Sequence, residues 1–385
     1  MLPRPEPLPQ PDAGARAHSQ RVVDAIREAI ADGAGWLRFD AYMQLALHAP
    51  GLGYYAAGAH KLGAAGDFVT APELTPLFGE ALASQVARIL EVAPGDVLEL
   101  GAGSGALATT LLRSLGKPPR RYRILDVSPD LRERQRDTIA RTVPSMLSRV
   151  EWIDTLPDAI DGAVLMNEVL DAIPVRIVVR RDAQWLERGV VSAGDAFAFE
   201  DRPLHDDALR AIAAARFPPD VDYASEINLA AEALVRDIAQ RLASGAMLVV
   251  DYGFPREEYY HPQRSDGTLM GHYRHRAHAD PFLWPGLSDL TAHIDFTAIA
   301  EAGVAAGLQV AGFASQAAFL LGCGILDRLA AVGPPESRDY IVQAAAVQKL
   351  LSPAEMGDLF KAMALARSGG IDWRGFALAD MRRRL

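Results

Sequence analysis

Val97-Leu98-Glu99-Leu100-Gly101-Ala102-Gly103-Ser104-Gly105 is the stretch from which the fold of this chain is read. An apolar pair enters a loop with glycines at alternate positions. Ala106-Leu107-Ala108-Thr109-Thr110-Leu111-Leu112-Arg113 follows, a good helix-forming run. Strand, glycine loop and helix open a nucleotide-binding α/β unit. Glycine permits positive φ and lets a ligand approach the backbone, and the first amides of the helix face an anionic or polar group. Gly101, Gly103 and Ala106 also fit the dinucleotide form G-x-G-x-x-A.

Glu99, two residues before the first glycine, stands where an acidic group commonly meets the ammonium end of S-adenosylmethionine. With Gly105 the stretch reads E-x-G-x-G-x-G, which resembles motif I of the Rossmann-like methyltransferases. Tyr122–Asp126 reads as the second strand. Asp126, about twenty residues beyond the glycines, can accept from both ribose hydroxyls of an adenosine ligand. That contact is common to NAD and S-adenosylmethionine, so an NAD-type oxidoreductase stays open at this point.

Working outward, the 385 residues are 50% hydrophobic, enough for two domains or one domain with large insertions. A net charge of −10 argues against a bulk nucleic-acid binder. The single Cys323 excludes an internal disulfide framework and a cysteine-based zinc cluster. No apolar run reaches membrane-spanning length, and the proline-rich N-terminus lacks a signal core, so the expected location is cytoplasmic. Five histidines between His261 and His293 lack metal-ligand spacing, and no metal is expected.

Residues 1–18 read as a disordered tail and 19–92 as a helical cap and lid loop. Within the cap, helices are predicted at Gln20–Asp32 and at Arg38–His48, the second with Asp40 as N-cap. Gly63–Glu80 mixes glycine, proline and phenylalanine ahead of the nucleotide unit, as a lid over the ligand would. Gly66, Asp67 and Thr70 are its candidate cofactor contacts; the plainer reading is a structural loop with Thr75 capping the helix from Pro76. Residues 93–174 form the first half of the core. Its third strand, Arg149–Ile153, ends at Asp154, a candidate for the adenine edge. The fourth, Gly162–Met166, delivers Asn167-Glu168-Val169-Leu170-Asp171 to the carboxyl rim, where chemistry takes place in a doubly wound sheet. Residues 175–225 read as an inserted acceptor subdomain opening with a hairpin. Residues 226–385 complete the core: a helix at Glu226–Ser244, a buried strand ending at Asp251 and Tyr252, a polar insertion at about 254–295, and Ala362–Ala366 as the edge strand.

Gly66–Gly79 resembles the G-D-F-x-T-A-P-E-x-[ST]-x-x-F-G signature of the MidA-like methyltransferases, which include a mitochondrial assembly factor for respiratory complex I. Ser128-Pro129-Asp130-Leu131-Arg132-Glu133-Arg134-Gln135, Asn167–Pro174 and Asp251-Tyr252-Gly253 are similar to further motifs of that family, over roughly residues 20 to 380. The resemblance implies a seven-stranded, mostly parallel class I methyltransferase sheet with helices on both faces. It further implies S-adenosyl-L-methionine as cofactor and protein arginine as acceptor, with a complex I subunit as the substrate protein and a homodimer as a candidate assembly. Glu168, Asn167 and Asp171 are then the candidate catalytic residues. Glu73, Asp251, Tyr252, Asp289 and His293 are the candidate substrate contacts, since carboxylates hold a guanidinium by paired hydrogen bonds. A non-catalytic assembly protein that keeps the fold is the other open reading.

Overall fold

The computed structural model describes residues 8–56 and 70–385. The chain falls into two compact units. One holds Thr70–Asp171, Ala230–Tyr259 and His293–Leu385; the other holds the described part of Met1–Val69 with Ala172–Leu229 and Tyr260–Ala292.

The first unit is built on a sheet of β1 (Asp96–Leu100), β2 (Tyr122–Leu125), β3 (Val150–Ile153), β4 (Ile160–Asn167), β5 (Leu242–Phe254), β6 (Gln309–Ser315) and β7 (Phe360–Ala366). Their order is β6-β7-β5-β4-β1-β2-β3, and the short strand Ile294–Asp295 adds to the end of β5. The five strands from β5 to β3 run parallel; β7 is antiparallel to both neighbours. This is the seven-stranded, mostly parallel class I methyltransferase arrangement that the family resemblance implies. Both faces are covered, so the strands read as continuous apolar runs. Val97, Leu165, Leu248, Val250 and Ala364 join one core with helices Pro76–Val92 and Ala106–Ser114. The alternate residues Leu98, Val164, Met247, Val249 and Leu365 are buried on the other face. There helix Phe296–Ala305 comes so close that a Cβ on Gly303 would lie 2.8 Å from Leu365 Cδ1. The chain leaves β1 for β2 and β3 on one side and returns to β4 on the other. The crevice between the ends of β1 and β4 is therefore the switch point where such sheets bind ligands.

Ala362–Ala366, expected at the edge, lies inside the sheet between β5 and β6. Its run of buried small and apolar residues fits two paired neighbours as well as one.

The second unit contains a sheet ordered Leu37–Arg38, Gln184–Ala193, Arg176–Arg181, Tyr223–Ile227, with Ala196–Pro203 on Gln184–Ala193. The predicted hairpin is present. Its turn residues Asp182 and Ala183 both take positive φ, +49° and +61°, as a two-residue hairpin loop requires. A core of Val22, Ile26, Phe39, Tyr42, Tyr54 and Val175 lies beneath. Three expectations are corrected here. The first helix spans Ala13–Asp32, starting inside the stretch read as a disordered tail, because Asp12 accepts from the Ala15 amide and caps it. The second is Phe39–His48; Asp40 sits in its first turn, bonded to Arg38, rather than at the cap. Glu226 does not open a helix but lies in the buried strand Tyr223–Ile227, and the helix begins at Leu229. The Glu226 carboxylate accepts from the amides of Thr268 and Leu269 (3.0 Å each) and from the Thr268 hydroxyl (3.1 Å), which makes its burial tolerable.

Candidate active site

The glycine loop leaves β1 with φ of +62°, +54° and +85° at Gly101, Gly103 and Gly105. Gly105 is the N-cap of helix Ala106–Ser114, and a Cβ there would stand 3.1 Å from Gln135 Cα. A side chain at that position is therefore disfavoured by both backbone conformation and space.

Glu99 shares the face of Val97 and is 3% exposed. Its Oε2 accepts from the Tyr122 hydroxyl at 2.5 Å, and its other oxygen accepts from no described residue. Burial pushes its carboxyl up to about 7; the Tyr122 bond opposes the shift, and the charge of Asp126 adds to it. Asp126 follows the end of β2 and is 6% exposed. Its Oδ1 accepts from the Ser128 amide at 3.0 Å and its Oδ2 from Gln135 Nε2 at 2.7 Å. Burial raises its pKa against those two bonds and the charge of Arg132. Ser128 caps the next helix, accepting from Leu131. Arg132 donates to the Asp126 and Ile153 carbonyls (2.7 and 2.8 Å) and to the exposed carboxylate of Asp154 (2.7 Å). Leu125, Asp126, Val127, Pro129, Arg132 and Asp154 line a cleft of about 330 Å³. Exposed Val127 gives it an apolar wall suited to a flat ring.

At the end of β4, Glu168 takes a φ of +53°, a conformation that costs a non-glycine residue about 1 kcal/mol or more. Its amide donates to Val250, and its Oε1 accepts from Asn167 Nδ2 (3.1 Å) and from the Ala71 amide (3.2 Å). Asn167 Oδ1 is buried and accepts from no described residue. Asp251, near the end of β5, is fully buried and accepts from the amides of Leu170 (3.0 Å) and Tyr252 (2.9 Å). Burial first, then the charges of Asp171 and Glu168, raises its pKa well above the carboxylate range. Tyr252 donates to Asp171 Oδ2 at 2.5 Å and stacks edge-on against His293, 5.2 Å between centroids. Val169 joins this cluster to the glycine loop, since a Cβ on Gly101 would lie 3.2 Å from its Cγ2.

The structure thus gathers Asn167, Glu168, Asp171, Asp251, Tyr252 and His293 at one rim, with Glu99, Asp126 and the glycines at its neighbour. Thr70 holds the short helix Ala71–Leu74 through its carbonyl, which accepts from Glu73; the Glu73 side chain is half-buried. Thr75 caps the following helix as expected. Gly66 and Asp67 lie outside the described residues. Asp289 belongs to the second unit, where it accepts from Tyr55 at 2.8 Å. Gln135 entered the sequence reading only as the last residue of the Ser128–Gln135 family motif and Trp152 only as part of the third strand, neither with a role. The signal was spacing: Gln135 stands four residues before Ile139, on the buried stripe of its helix.

Comparison with known proteins agrees with this geometry. Residues 78–314 match the family model described as "Putative S-adenosyl-L-methionine-dependent methyltransferase". A protein of Burkholderia thailandensis described as a "likely methyl transferase", solved with S-adenosyl-homocysteine bound, is 47% identical, covers 98% of this chain and 100% of its own, and superposes with a TM-score of 0.94. A native crystal structure of a protein of the same superfamily and organism gives a TM-score of 0.91 at the same identity and coverage. The mitochondrial protein arginine methyltransferase NDUFAF7 homolog of Drosophila melanogaster is 28% identical over 93% of this chain and 88% of its own. The NDUFAF7 protein of Mus musculus is 29% identical over 91% and 86%. Both are mitochondrial by name, as are the relatives from other animals, so the expected cytoplasmic location is withdrawn. Among the described residues no helix is long and apolar enough to cross a membrane. A family match over more than half the chain, on a sheet with the matching strand order, settles the choice left open by the glycine loop: the protein belongs to this family of S-adenosyl-L-methionine-dependent methyltransferases.

Proposed function

We propose that the chain methylates an arginine side chain of a protein. The carboxylate cluster at the rim carries this reading: Glu168, Asp171 and Asp251 lie close enough for the first two to raise the pKa of the third. Carboxylates accept in pairs from a guanidinium, a planar cation with five N–H donors. Relatives named protein arginine methyltransferases support the same acceptor. A respiratory complex I subunit is the substrate protein that the family resemblance favours.

S-adenosyl-L-methionine, when bound, supplies a methyl group on a sulfonium. The chain's own residues bind and align. The Glu99 oxygen that accepts from no described residue suits an ammonium group, and each oxygen of Asp126 keeps a lone pair for a ribose hydroxyl beside the bond it already accepts. The strained backbone of Glu168 fixes where its carboxylate projects, and Asn167 Oδ1 offers an acceptor for one substrate N–H. Holding the nucleophile in line is the main contribution of such a site.

The test is transfer of labelled methyl groups to an arginine-bearing protein, with residue analysis of the product. Glu168→Gln should keep S-adenosylhomocysteine affinity within a few-fold while methylation falls on the order of a hundredfold, about 2.7 kcal/mol of transition-state stabilisation. Label on lysine, nucleic acid or a small molecule defeats the acceptor assignment and leaves methyl transfer standing.

A further inference from the structure

Gln135 lies in the middle of helix Pro129–Thr142 and is fully enclosed. Its amide makes three hydrogen bonds to three different elements. Nε2 donates to the Gly103 carbonyl at 3.0 Å and to Asp126 Oδ2 at 2.7 Å, and Oε1 accepts from the Trp152 indole at 3.0 Å. A carbonyl and a carboxylate only accept, and an indole N–H only donates, so these partners allow one orientation of the amide.

We propose that Gln135 is a positioning residue for the methyl donor, setting the Gly103 peptide and the Asp126 carboxylate in one geometry through a single primary amide. The proposal rests on the reading that Gly103 and Asp126 touch the donor. Because the peptide is trans, a Gly103 carbonyl turned to Gln135 sends the Ser104 N–H the opposite way. That amide donates to no described residue. The close approach of Gly105 to Gln135 Cα presses the loop against the same helix. Trp152 in β3 holds the far end of the amide, so three strand ends are referred to one side chain. Burial also raises the pKa of Asp126, and the Gln135 N–H is one of the few groups that oppose it. Loss of the amide would therefore free the loop and weaken the carboxylate as an ionised acceptor.

A double-mutant cycle on S-adenosylhomocysteine binding, measured by calorimetry on the full chain, separates positioning from general scaffolding. Gln135→Met keeps the volume and removes all three bonds; it should weaken binding about tenfold. Asp126→Ala should weaken it by more than that. In the Asp126→Ala background, Gln135→Met should cost less than threefold, because its main partner is gone. Equal factors in both backgrounds, or wild-type affinity in Gln135→Met alone, overturn the proposal. Unchanged affinity in Asp126→Ala removes Asp126 from the donor site, a failure of the underlying reading that the cycle distinguishes. Melting of each ligand-free variant checks the fold. If Gln135→Met does not fold, Gln135→Glu takes its place: it keeps the indole bond and the volume, turns both donors into acceptors, and should weaken binding on the order of a hundredfold.

Discussion

Tyr122 and Glu99 meet at 2.5 Å from adjacent strands, and the phenol is the one described donor to a carboxylate that burial pushes up to about 7. The raised value ties folding to pH. Below the ordinary carboxyl value of 4.5, folded and unfolded chains both hold the proton, and Glu99 adds no pH-dependent cost. Between 4.5 and about 7 the unfolded chain releases it first, so stability falls as pH rises; above 7 the loss is complete, roughly 3 kcal/mol at most. Glu99→Gln should lack this contribution, so urea denaturation should show the variant gaining on the wild type from pH 4.5 to 8. A constant difference between the two would show that Glu99 does not titrate there.

The same group predicts a pH profile for the donor. If ionised Glu99 meets an ammonium group, affinity for S-adenosylhomocysteine should fall as pH drops below 7, about tenfold per unit at the steepest. Glu99→Gln should bind weakly with a flatter profile. Identical profiles would take Glu99 out of the donor site.

Gly103 has a φ of +54°, where a β-branched residue is an outlier. Gly103→Val should abolish S-adenosylhomocysteine binding in calorimetry. Wild-type affinity would mean that the loop can move away without consequence.

Glu168 pays for its position in backbone strain. Removing the side chain as Glu168→Gly should leave the protein about 1 kcal/mol more stable than Glu168→Ala, since only glycine is at ease at a φ of +53°. Equal denaturation midpoints would mean that the backbone relaxes once the carboxylate is gone.

Thr75 Oγ accepts from the Leu77 amide at 3.1 Å and donates to Gln343 at 2.5 Å. Thr75→Ala should cost about 1–2 kcal/mol in denaturant unfolding. A change under a few tenths would show that the helix start is held by other contacts.

Much of this was legible in the chain. Val97–Gly105 needs no tertiary context, because a strand, glycines at alternate positions and a helix leave few other folds. Glu168 was legible as a rim residue for the same reason, though not its positive φ, which depends on the neighbouring Val250 carbonyl and Ala71 amide. Gln135 was legible as a motif position at buried-stripe spacing, but its three partners were not, because only the meeting of three strand ends brings them to one side chain. Glu226 misled. Helix propensity favoured it as a helix start, while the amides that make its burial tolerable come from Thr268 and Leu269, forty residues further on.

The placement of β7 bears on how the protein is made. Phe360–Ala366 is the last of the seven strands to be synthesised, yet it fills a slot between β5 and β6. Until it arrives, both neighbours expose unpaired edges, one belonging to the strand that carries Asp251 and Tyr252. A growing chain therefore carries an open β-edge that invites pairing with other nascent chains until Phe360–Ala366 has been made. Completion of the rim that carries Asp251 and Tyr252 thus depends on a strand that contributes none of the candidate site residues.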